Sequence, residues 1–363
     1  MPRRMILDRW IFLTVALLVV VGIFMVGSAS HYVATSQSKS SYYFLLRHAM
    51  HLALGVAAFL AALHIPYRTF SERRLIVWLS AGSILALITV LAMPTTGGAH
   101  RWFRFGPFAV QPSEFAKIVN ILFMAYLLTK REKKVNDPWA VPLPSLAVVG
   151  SMTFLVAIEP DLGSAVMLAA TAGVMVFVAG LRWAYFGGVL GLGTLGFLAA
   201  VLSEPYRMQR IQTFLNPTGD TQGAGFQLTQ SLIAIGNGGL TGVGFGQGQQ
   251  QAFYLPAAYT DFIFSVVGEE MGLLGTVALL TAFLLVFWRG IRAALHAPDR
   301  FGFYLSLGVT SLLVLQGLTH MGVCVGLLPT KGLPLPFMSY GGSSLLATLA
   351  LTGLLLNVSQ HSS

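Results

Sequence analysis

Asp261 is the acidic residue whose position in the sequence most strongly indicates chemistry. It lies where a long loop ends and an apolar segment begins, directly after Thr260. A side-chain oxygen at such a boundary has two uses. It accepts free backbone amides and caps the helix that follows, or it acts as a general base whose pKa is raised toward neutrality by burial. The sequence leaves both interpretations open.

Two further carboxylates follow on the same apolar segment. Glu269 is eight positions after Asp261, so the two side chains fall near the same face of one helix, and Glu270 is its neighbour. Either these carboxylates join Asp261 in a polar site, or they pair with arginine, serine or backbone groups inside the protein. Acidic residues beside apolar segments are costly to place, and each is therefore a candidate for function.

A second group of candidates lies in the segment QPSEFAK, residues 111–117. Ser113 is the predicted N-cap of a helix, and Glu114 suits the positive end of that helix's dipole. Lys117 follows Glu114 by three positions, so the two side chains pair on one helical face. The pair either braces the start of the helix or lines a substrate cavity.

Arginines accompany both groups of acids. Arg101 and Arg104 precede QPSEFAK, whereas Arg207 and Arg210 lie early in the loop that ends at Asp261. Arginines at a membrane interface commonly bind lipid phosphate, and in a site the guanidinium suits a pyrophosphate because it grips two oxygens at once. The eight histidines show no metal-ligand spacing, and the only cysteine, Cys324, excludes an intrachain disulfide.

Seven glycines between residues 236 and 248 resemble a nucleotide-binding loop only superficially. No strand-to-helix unit surrounds them, as a phosphate-binding loop requires. They indicate tight turns instead, or a close approach of the backbone to a ligand.

All these residues belong to a strongly apolar chain. Of its 363 residues 55% are hydrophobic and 10% are charged, and the mean hydropathy is +0.73; soluble domains carry roughly 25% charged residues. Since about 20 apolar residues span a bilayer, the chain is predicted to be an all-α polytopic membrane protein with about ten transmembrane helices in a single domain, residues 1–363. The apolar blocks lie at residues 10–28, 45–64, 75–93, 110–129, 143–158, 162–180, 185–202, 262–288, 301–321 and 339–357.

Three connections between these blocks have a predicted form. Residues 159–161 are a tight turn. Residues 203–261 are a long loop between helices 7 and 8 that packs on the bundle through its apolar and aromatic residues, since a loop of this length in a compact domain is usually functional or disordered. Residues 322–338 hold several prolines and are an irregular, partly re-entrant loop.

The charged residues predict the orientation. Most of the 22 lysines and arginines fall in loops on the side of the two termini, so both termini are predicted to be cytoplasmic in a multi-pass protein of the bacterial inner membrane. This distribution explains the net charge of +9 without a nucleic-acid partner. The acids on the other side indicate a polar site at the outer, periplasmic face; they are Glu114, Glu159, Asp161, Glu204, Asp220, Asp261, Glu269 and Glu270.

The order of several segments resembles the SEDS family (shape, elongation, division and sporulation), the FtsW/RodA group of peptidoglycan glycosyltransferases. The matching segments are residues 97–117, 159–164, 209–217, 227–248, 255–270 and 328–344. Each segment alone is a modest signal, but their joint order is specific and covers nearly the whole chain. Thr330-Lys331-Gly332 and residues 25–30 resemble the division branch, FtsW, more than the elongation branch, RodA.

The resemblance implies ten helices and a periplasmic site that polymerises lipid II by inverting glycosyl transfer. The essential aspartate of the family maps onto Asp261, which takes the proton from the 4-hydroxyl of the acceptor sugar while undecaprenyl pyrophosphate leaves. Arg101, Arg210 and Lys117 are expected to stabilise the pyrophosphate. Glu114, Asp161, Glu269 and Ser339 are further substrate-binding candidates.

The family also implies partners. The expected partner is a class B penicillin-binding protein, a transpeptidase with a single membrane anchor, together with other membrane proteins of the divisome or elongasome. No cofactor is certain; outer-face carboxylates could hold Mg²⁺ or Mn²⁺ that keeps several of its waters.

Three positions depart from the family pattern. Ala257 and Tyr259 stand where the family commonly has Glu and His, and Gln251 stands where a lysine is common. Two other functions therefore stay open: a lipid II flippase, and a non-catalytic scaffold of a division complex. A flippase predicts functional charges at the middle of the membrane between two symmetric halves, and the sequence shows no such repeat.

Overall fold

The computed structural model describes residues 7–36, 42–93, 100–105, 108–202, 205–215, 223–250, 254–255 and 257–361. Several residues used in the sequence analysis lie outside this part, including residues 97–99, Glu204, Asp220, Gln251 and Pro256.

Twelve helices and one β-hairpin form the described part of the chain. The helices are α1 Arg9–Ser36, α2 Tyr43–His64, α3 Arg73–Leu91, α4 Pro112–Lys130, α5 Pro142–Ile158, α6 Leu162–Val178, α7 Trp183–Leu202, α8 Pro205–Leu215, α9 Ala224–Asn237, α10 Ile263–Leu295, α11 Arg300–Cys324 and α12 Gly342–His361. The strands β1 Phe103–Phe105 and β2 Phe108–Val110 pair antiparallel before α4.

Each of the ten predicted apolar blocks coincides with a helix, and α8 and α9 lie within the predicted long loop. Among the described residues, six helices are long and apolar enough to cross a membrane: α1, α2, α3, α10, α11 and α12. The helices α5, α6 and α7 are shorter apolar helices. The predicted all-α polytopic fold is confirmed. The β-hairpin and the π-helical turn of α5 at Leu146–Gly150 were not predicted.

The helices α11 and α12 form the centre of the bundle, because nearly all their side chains are buried. Glycines allow the outer helices to approach them closely. A Cβ at Gly317 of α11 would lie 2.4 Å from the ring of Phe283 in α10, and a Cβ at Gly353 of α12 would lie 2.5 Å from the carbonyl oxygen of Phe59 in α2. A side chain at either position would push the helices apart.

The helix α10 is broken at Gly272, whose φ of 65° and ψ of −159° are not helical. In an unbroken helix the amides of Leu273 and Leu274 donate to the carbonyls of Glu269 and Glu270. Here they donate to the carbonyls of Gly239 and Leu240 instead, at 2.9 and 3.2 Å.

The two carbonyls freed by this break accept hydrogen bonds from the same segment of the loop. The amides of Val243 and Gly244 donate to Glu269 and Glu270 at 3.0 and 3.2 Å. Only glycine fits in this contact, since a Cβ at Gly242 would lie 2.1 Å from the carbonyl oxygen of Glu270. The glycine-rich segment thus packs closely on the backbone of α10, whereas the sequence indicated tight turns or a close approach to a ligand.

The loop between α11 and α12 is irregular, as predicted, and residues 333–339 of it are mostly buried. Gln316 Nε2 of α11 donates to the carbonyl of Pro334 at 2.8 Å, and a ring nitrogen of His320 lies 2.7 Å from the carbonyl of Leu333. The Ser339 hydroxyl accepts from the amide of Leu335 at 2.8 Å and donates to the carbonyl of Thr260 at 2.6 Å. Ser339 therefore fixes this loop to the chain just before Asp261.

Ion pairs join the helices at the other end of the bundle. Asp8 pairs with Arg289 of α10 at 2.6 Å. Asp299 caps α11 by accepting from the amide of Gly302 at 2.8 Å, and it also binds Arg68 at 2.9 Å and the hydroxyl of Tyr67 at 2.7 Å. The pair between Arg300 and Glu132 is more exposed.

Candidate active site

Asp261 lies in the last turn of the long loop, two residues before α10. Phe262 is the N-cap of that helix and the helix has no side-chain cap, so the interpretation of Thr260 or Asp261 as a helix cap is wrong. The Thr260 hydroxyl donates to the carbonyl of Ala257 instead, and the amide of Asp261 donates to the same carbonyl at 3.0 Å. The carboxylate is therefore left for another role.

The loop between α11 and α12 passes directly against this carboxylate. A Cβ at Gly332 would lie 3.4 Å from Asp261 Oδ2, which is van der Waals contact. Two residues earlier, the carbonyl of Thr330 accepts a hydrogen bond from Arg210 Nη1 at 2.8 Å. Residues 330–332 thus lie between the carboxylate and a predicted substrate-binding arginine.

The surroundings of Asp261 place its pKa near neutrality. Burial raises the pKa to about 6. The positive charge of Arg210, the neighbouring Thr260 side chain and the charge of Arg101 act in the opposite direction, and the negative charge of Asp161 adds to the increase. Three other residues predicted from the sequence, Arg210, Arg101 and Asp161, therefore lie close enough to Asp261 for their charges to act on it.

Arg101 fastens the hairpin region to the tight turn between α5 and α6. Its Nε donates to the carbonyl of Glu159 at 2.9 Å, and its Nη2 donates to the carbonyl of Pro160. These two bonds fasten the backbone of Glu159 and Pro160, the first two residues of the turn, to the segment before the hairpin. This turn positions Asp161 directly before α6.

Asp161 caps α6 and links it to α4. Its Oδ1 accepts from the amide of Ser164 at 3.0 Å, and its Oδ2 accepts from Gln111 Nε2 at 3.0 Å. Gln111, rather than Ser113, is the N-cap residue of α4, and no side chain caps that helix. The prediction that Ser113 caps α4 is wrong, since Pro112 occupies the first helical position and moves the helix start back by two residues.

Glu114 and Lys117 form the predicted ion pair, with Glu114 Oε1 and Lys117 Nζ 2.8 Å apart. Both residues are almost fully buried, and Lys117 also donates to Gln316 Oε1 of α11 at 3.2 Å. Gln316 in turn holds the loop that contacts Asp261. The pair braces α4 against α11; its contact with substrate stays a prediction.

The carboxylates of Glu269 and Glu270 are bound within the protein. Glu269 Oε1 accepts from the amides of Gln249 and Gln250 at 2.9 and 3.1 Å. Glu270 Oε1 accepts from the hydroxyl of Ser28 in α1. These contacts favour the interpretation that the two residues hold the glycine-rich segment and α1, and the substrate-binding role of Glu269 stays a prediction.

Glu159 was predicted to belong to the acids of the outer face, but it was not among the candidate catalytic or substrate-binding residues. It is fully buried, and within the described residues neither carboxyl oxygen has a hydrogen-bond partner. Burial raises its pKa to about 8, the nearby charge of Asp161 adds to the increase, and the charge of Arg101 opposes it. The signal in the sequence was its position two residues before Asp161 in the predicted tight turn of residues 159–161.

Tyr259, which stands where the family commonly has His, packs against two aromatic rings. Its ring lies 5.2 Å from that of Phe44 and 5.5 Å from that of Tyr340, measured between centroids, and its carbonyl accepts from the amide of Tyr340 at 2.9 Å. The residue therefore helps to fix the chain before Asp261 to the start of α12. No group of three or more His, Cys, Asp or Glu side chains suited to a metal ion occurs in the part of the chain that the structure describes.

The fold and the site define a class: a polytopic helical membrane protein with a partly buried carboxylate and neighbouring arginines at one end of its bundle. The model of the cell cycle protein family FtsW/RodA/SpoVE matches residues 8–363. The chain belongs to this family.

Curated relatives span almost the whole chain. It is 44% identical over 357 residues to a probable peptidoglycan glycosyltransferase FtsW of Geobacter metallireducens, covering 97% of this chain and 94% of the relative. It is 40% identical over 362 residues to the stage V sporulation protein E of Bacillus subtilis, covering 98% and 97%.

Solved structures share the fold. A chain in a peptidoglycan synthase complex that coordinates polymerization and crosslinking is 34% identical, with a TM-score of 0.79 and 97% of each chain covered. The rod shape determining protein RodA of Thermus thermophilus is 30% identical, with a TM-score of 0.72 and 97% of this chain and 96% of that chain covered.

Proposed function

We propose that this protein is a peptidoglycan glycosyltransferase of the division branch, which polymerises lipid II with Asp261 as the general base. One observation carries the proposal. The Asp261 carboxylate caps no helix, lies against the loop of residues 330–332, and has its pKa raised by burial to about 6. General bases work best with a pKa near the operating pH.

The reaction follows from this carboxylate. Ionised Asp261 takes the proton of the acceptor's 4-hydroxyl, and that oxygen forms a bond to the anomeric carbon of the growing glycan. The bond from this carbon to the phosphate oxygen breaks, and its electron pair leaves with undecaprenyl pyrophosphate. Because attack and departure occur on opposite faces, the configuration inverts.

Base catalysis alone contributes roughly 10²–10⁴-fold, so positioning and stabilisation of the pyrophosphate supply the rest. Arg210 and Arg101 are the candidates for stabilisation, since their charges act on Asp261. Both also hold backbone carbonyls, which fixes where their guanidinium groups lie. Lys117 is fully engaged with Glu114 and Gln316, so its expected contribution is indirect.

The proposed orientation places both termini in the cytoplasm and Asp261 at the outer face of a bacterial inner membrane. The support is the distribution of basic residues, which favours the end of the bundle opposite Asp261. Reporter fusions at residue 134 and after the last residue should both report the cytoplasm; a periplasmic signal from either would reject this orientation.

The proposed partner is a class B penicillin-binding protein, together with other membrane proteins of cell division or elongation. The support is the similarity to a chain in a peptidoglycan synthase complex. Co-purification of the full chain with such a transpeptidase from one membrane extract tests this partner.

A divalent cation stays a prediction, and no step above depends on one. The acids near Asp261 offer few ligands, so Mg²⁺ or Mn²⁺ would be held mainly by the pyrophosphate and by water. Chelation with EDTA followed by addition of either metal measures the requirement.

Reconstitution in liposomes with lipid II and the partner transpeptidase tests the function. We expect glycan strands from the wild-type protein and none above background from Asp261→Ala, with Glu72→Gln as a matched control. Glu72 is an exposed acid at the start of α3 whose side chain caps nothing. Relocated lipid without polymer would indicate a flippase, and neither product would indicate a scaffold.

A further inference from the structure

Lys331 lies between two residues that contact the candidate site. On one side the carbonyl of Thr330 accepts from Arg210, and on the other side Gly332 lies against the Asp261 carboxylate. The amide of Leu333 donates to the carbonyl of Lys331 at 2.8 Å, so the backbone turns tightly here. The Cα atom of Lys331 is therefore held close to Asp261.

The ammonium group of Lys331 is half-buried and has no carboxylate partner within the described residues. It lies 5.6 Å from the centroid of the Phe197 ring in α7. Burial lowers the pKa of Lys331, and no nearby acid opposes this effect. A half-buried cation without a carboxylate partner gains more free energy from binding an anion than a cation that already forms an ion pair.

Lys117 shows the contrasting arrangement. Its ammonium is fully buried, but it is satisfied by Glu114 and Gln316. An aromatic face attracts the charge of Lys331 without accepting its N–H groups in the way an oxygen does. The three donors of this ammonium are therefore suited to a ligand with several acceptor oxygens.

We propose that the Lys331 ammonium binds the pyrophosphate of the lipid-linked substrate, next to Arg210. This inference rests on the proposed function. The departing pyrophosphate gains negative charge as the glycosidic bond breaks, and a fixed cation beside it stabilises that charge. Lysine binds phosphate as a point charge, whereas the planar guanidinium of arginine binds two oxygens at once. Lys331 and Arg210 therefore contact the pyrophosphate in different and complementary ways beside Asp261.

The test compares variants of the full-length protein in liposomes with lipid II. We expect Lys331→Met to lower kcat/KM about 10- to 100-fold, since it removes a charged contact to the transition state. Lys331→Arg should keep most of the activity. The matched control is Lys134→Met, which removes an exposed lysine on the other side of the protein.

A second variant separates binding from structure. Phe197→Leu removes the aromatic contact but keeps the ammonium, and it should keep most of the activity. Equal losses in Phe197→Leu and Lys331→Met would show that Lys331 only fastens α7, and would overturn the proposal. Wild-type kinetics in Lys331→Met would overturn it as well.

Binding of inorganic pyrophosphate gives a readout that needs no turnover. In isothermal titration we expect the wild-type protein and Asp261→Asn to bind pyrophosphate, and Lys331→Met to bind it at least 10-fold more weakly. If the wild-type protein makes no polymer, the proposed function fails while this measurement still tests Lys331. Loss of pyrophosphate binding when phosphatidylglycerol is added to the vesicles would assign Lys331 to a lipid headgroup instead, and would overturn the proposal.

Discussion

At one end of the bundle acidic side chains form ion pairs with arginines, whereas Asp261 and Glu159 at the other end form none within the described residues. Asp8, Asp299 and Glu132 each bind an arginine. Asp299 caps α11 as well, and its hydrogen bonds and the charge of Arg68 hold its pKa below the usual value despite burial. Near Asp261 the opposite holds, because burial dominates and raises the pKa of both Asp261 and Glu159.

The difference separates carboxylates that join helices through ion pairs from carboxylates whose pKa is raised by burial. A paired carboxylate is satisfied by the protein and gains little from a substrate. Asp261 lies near Arg101 and Arg210, and both arginines donate to backbone carbonyls. The burial that raises the pKa of Asp261 and Glu159 disfavours their charged forms, a cost that the paired end does not bear.

Breaking an ion pair at each end gives the largest expected effect. Lys117→Met leaves the Glu114 carboxylate buried without its cation, which costs about 3–5 kcal/mol. Arg300→Met removes an exposed partner of Glu132, which costs about 0–1 kcal/mol. Thermal unfolding in detergent measures both. Equal shifts in melting temperature would contradict the contrast between buried and exposed pairs, and Glu114→Gln combined with Lys117→Met should recover part of the loss.

The second largest expected effect is the change in the rate of polymerisation with pH. A base must be deprotonated to accept a proton, so the rate should fall about tenfold per pH unit below the pKa of about 6 for Asp261 and level off above it. Asp299, whose pKa is lowered, should not contribute. The rate is measured between pH 4.5 and 8 in wild-type protein and in Asp299→Asn; a different midpoint in that variant would remove Asp261 from this role.

Glu159→Gln should have a smaller effect on stability. The folded protein holds a proton on Glu159 up to about pH 8, whereas the unfolded chain loses it near 4.5. The folded state thus binds more protons, and stability falls as pH rises between these values. Glutamine removes this loss, so the variant should be more stable at pH 8, by about 1–3 kcal/mol. Melting temperatures at pH 5 and pH 8 compare the two proteins, and a variant that gains nothing at pH 8 would show that Glu159 is ionised.

The sequence predicted the helices well because a membrane span depends mainly on local composition. Each apolar block coincides with a helix, and the buried pair of Glu114 and Lys117 follows from spacing on one helix. The sequence also indicated Asp261, Asp161, Arg101 and Arg210 as residues of one site. These residues lie in segments that match the family in a fixed order.

One error was local, and the other features that the sequence did not reveal are contacts between distant segments. Ser113 does not cap α4, because Pro112 fixes an earlier start of the helix. Glu269 binds amides of the glycine-rich segment, a contact that no spacing within α10 reveals. The proximity of Gly332 to Asp261 joins two loops that are 71 positions apart in the sequence. Periodicity and composition carry no information about such pairs.

The break at Gly272 also bears on how the protein enters the membrane. Four backbone groups of α10 depend on residues 239–244 for their hydrogen bonds, and each would cost several kcal/mol if it met lipid alone. The half of α10 that begins beside Asp261 is therefore not a self-sufficient span. It is completed only when the glycine-rich segment lies against it, so this part of the helix and residues 239–244 acquire their final geometry together.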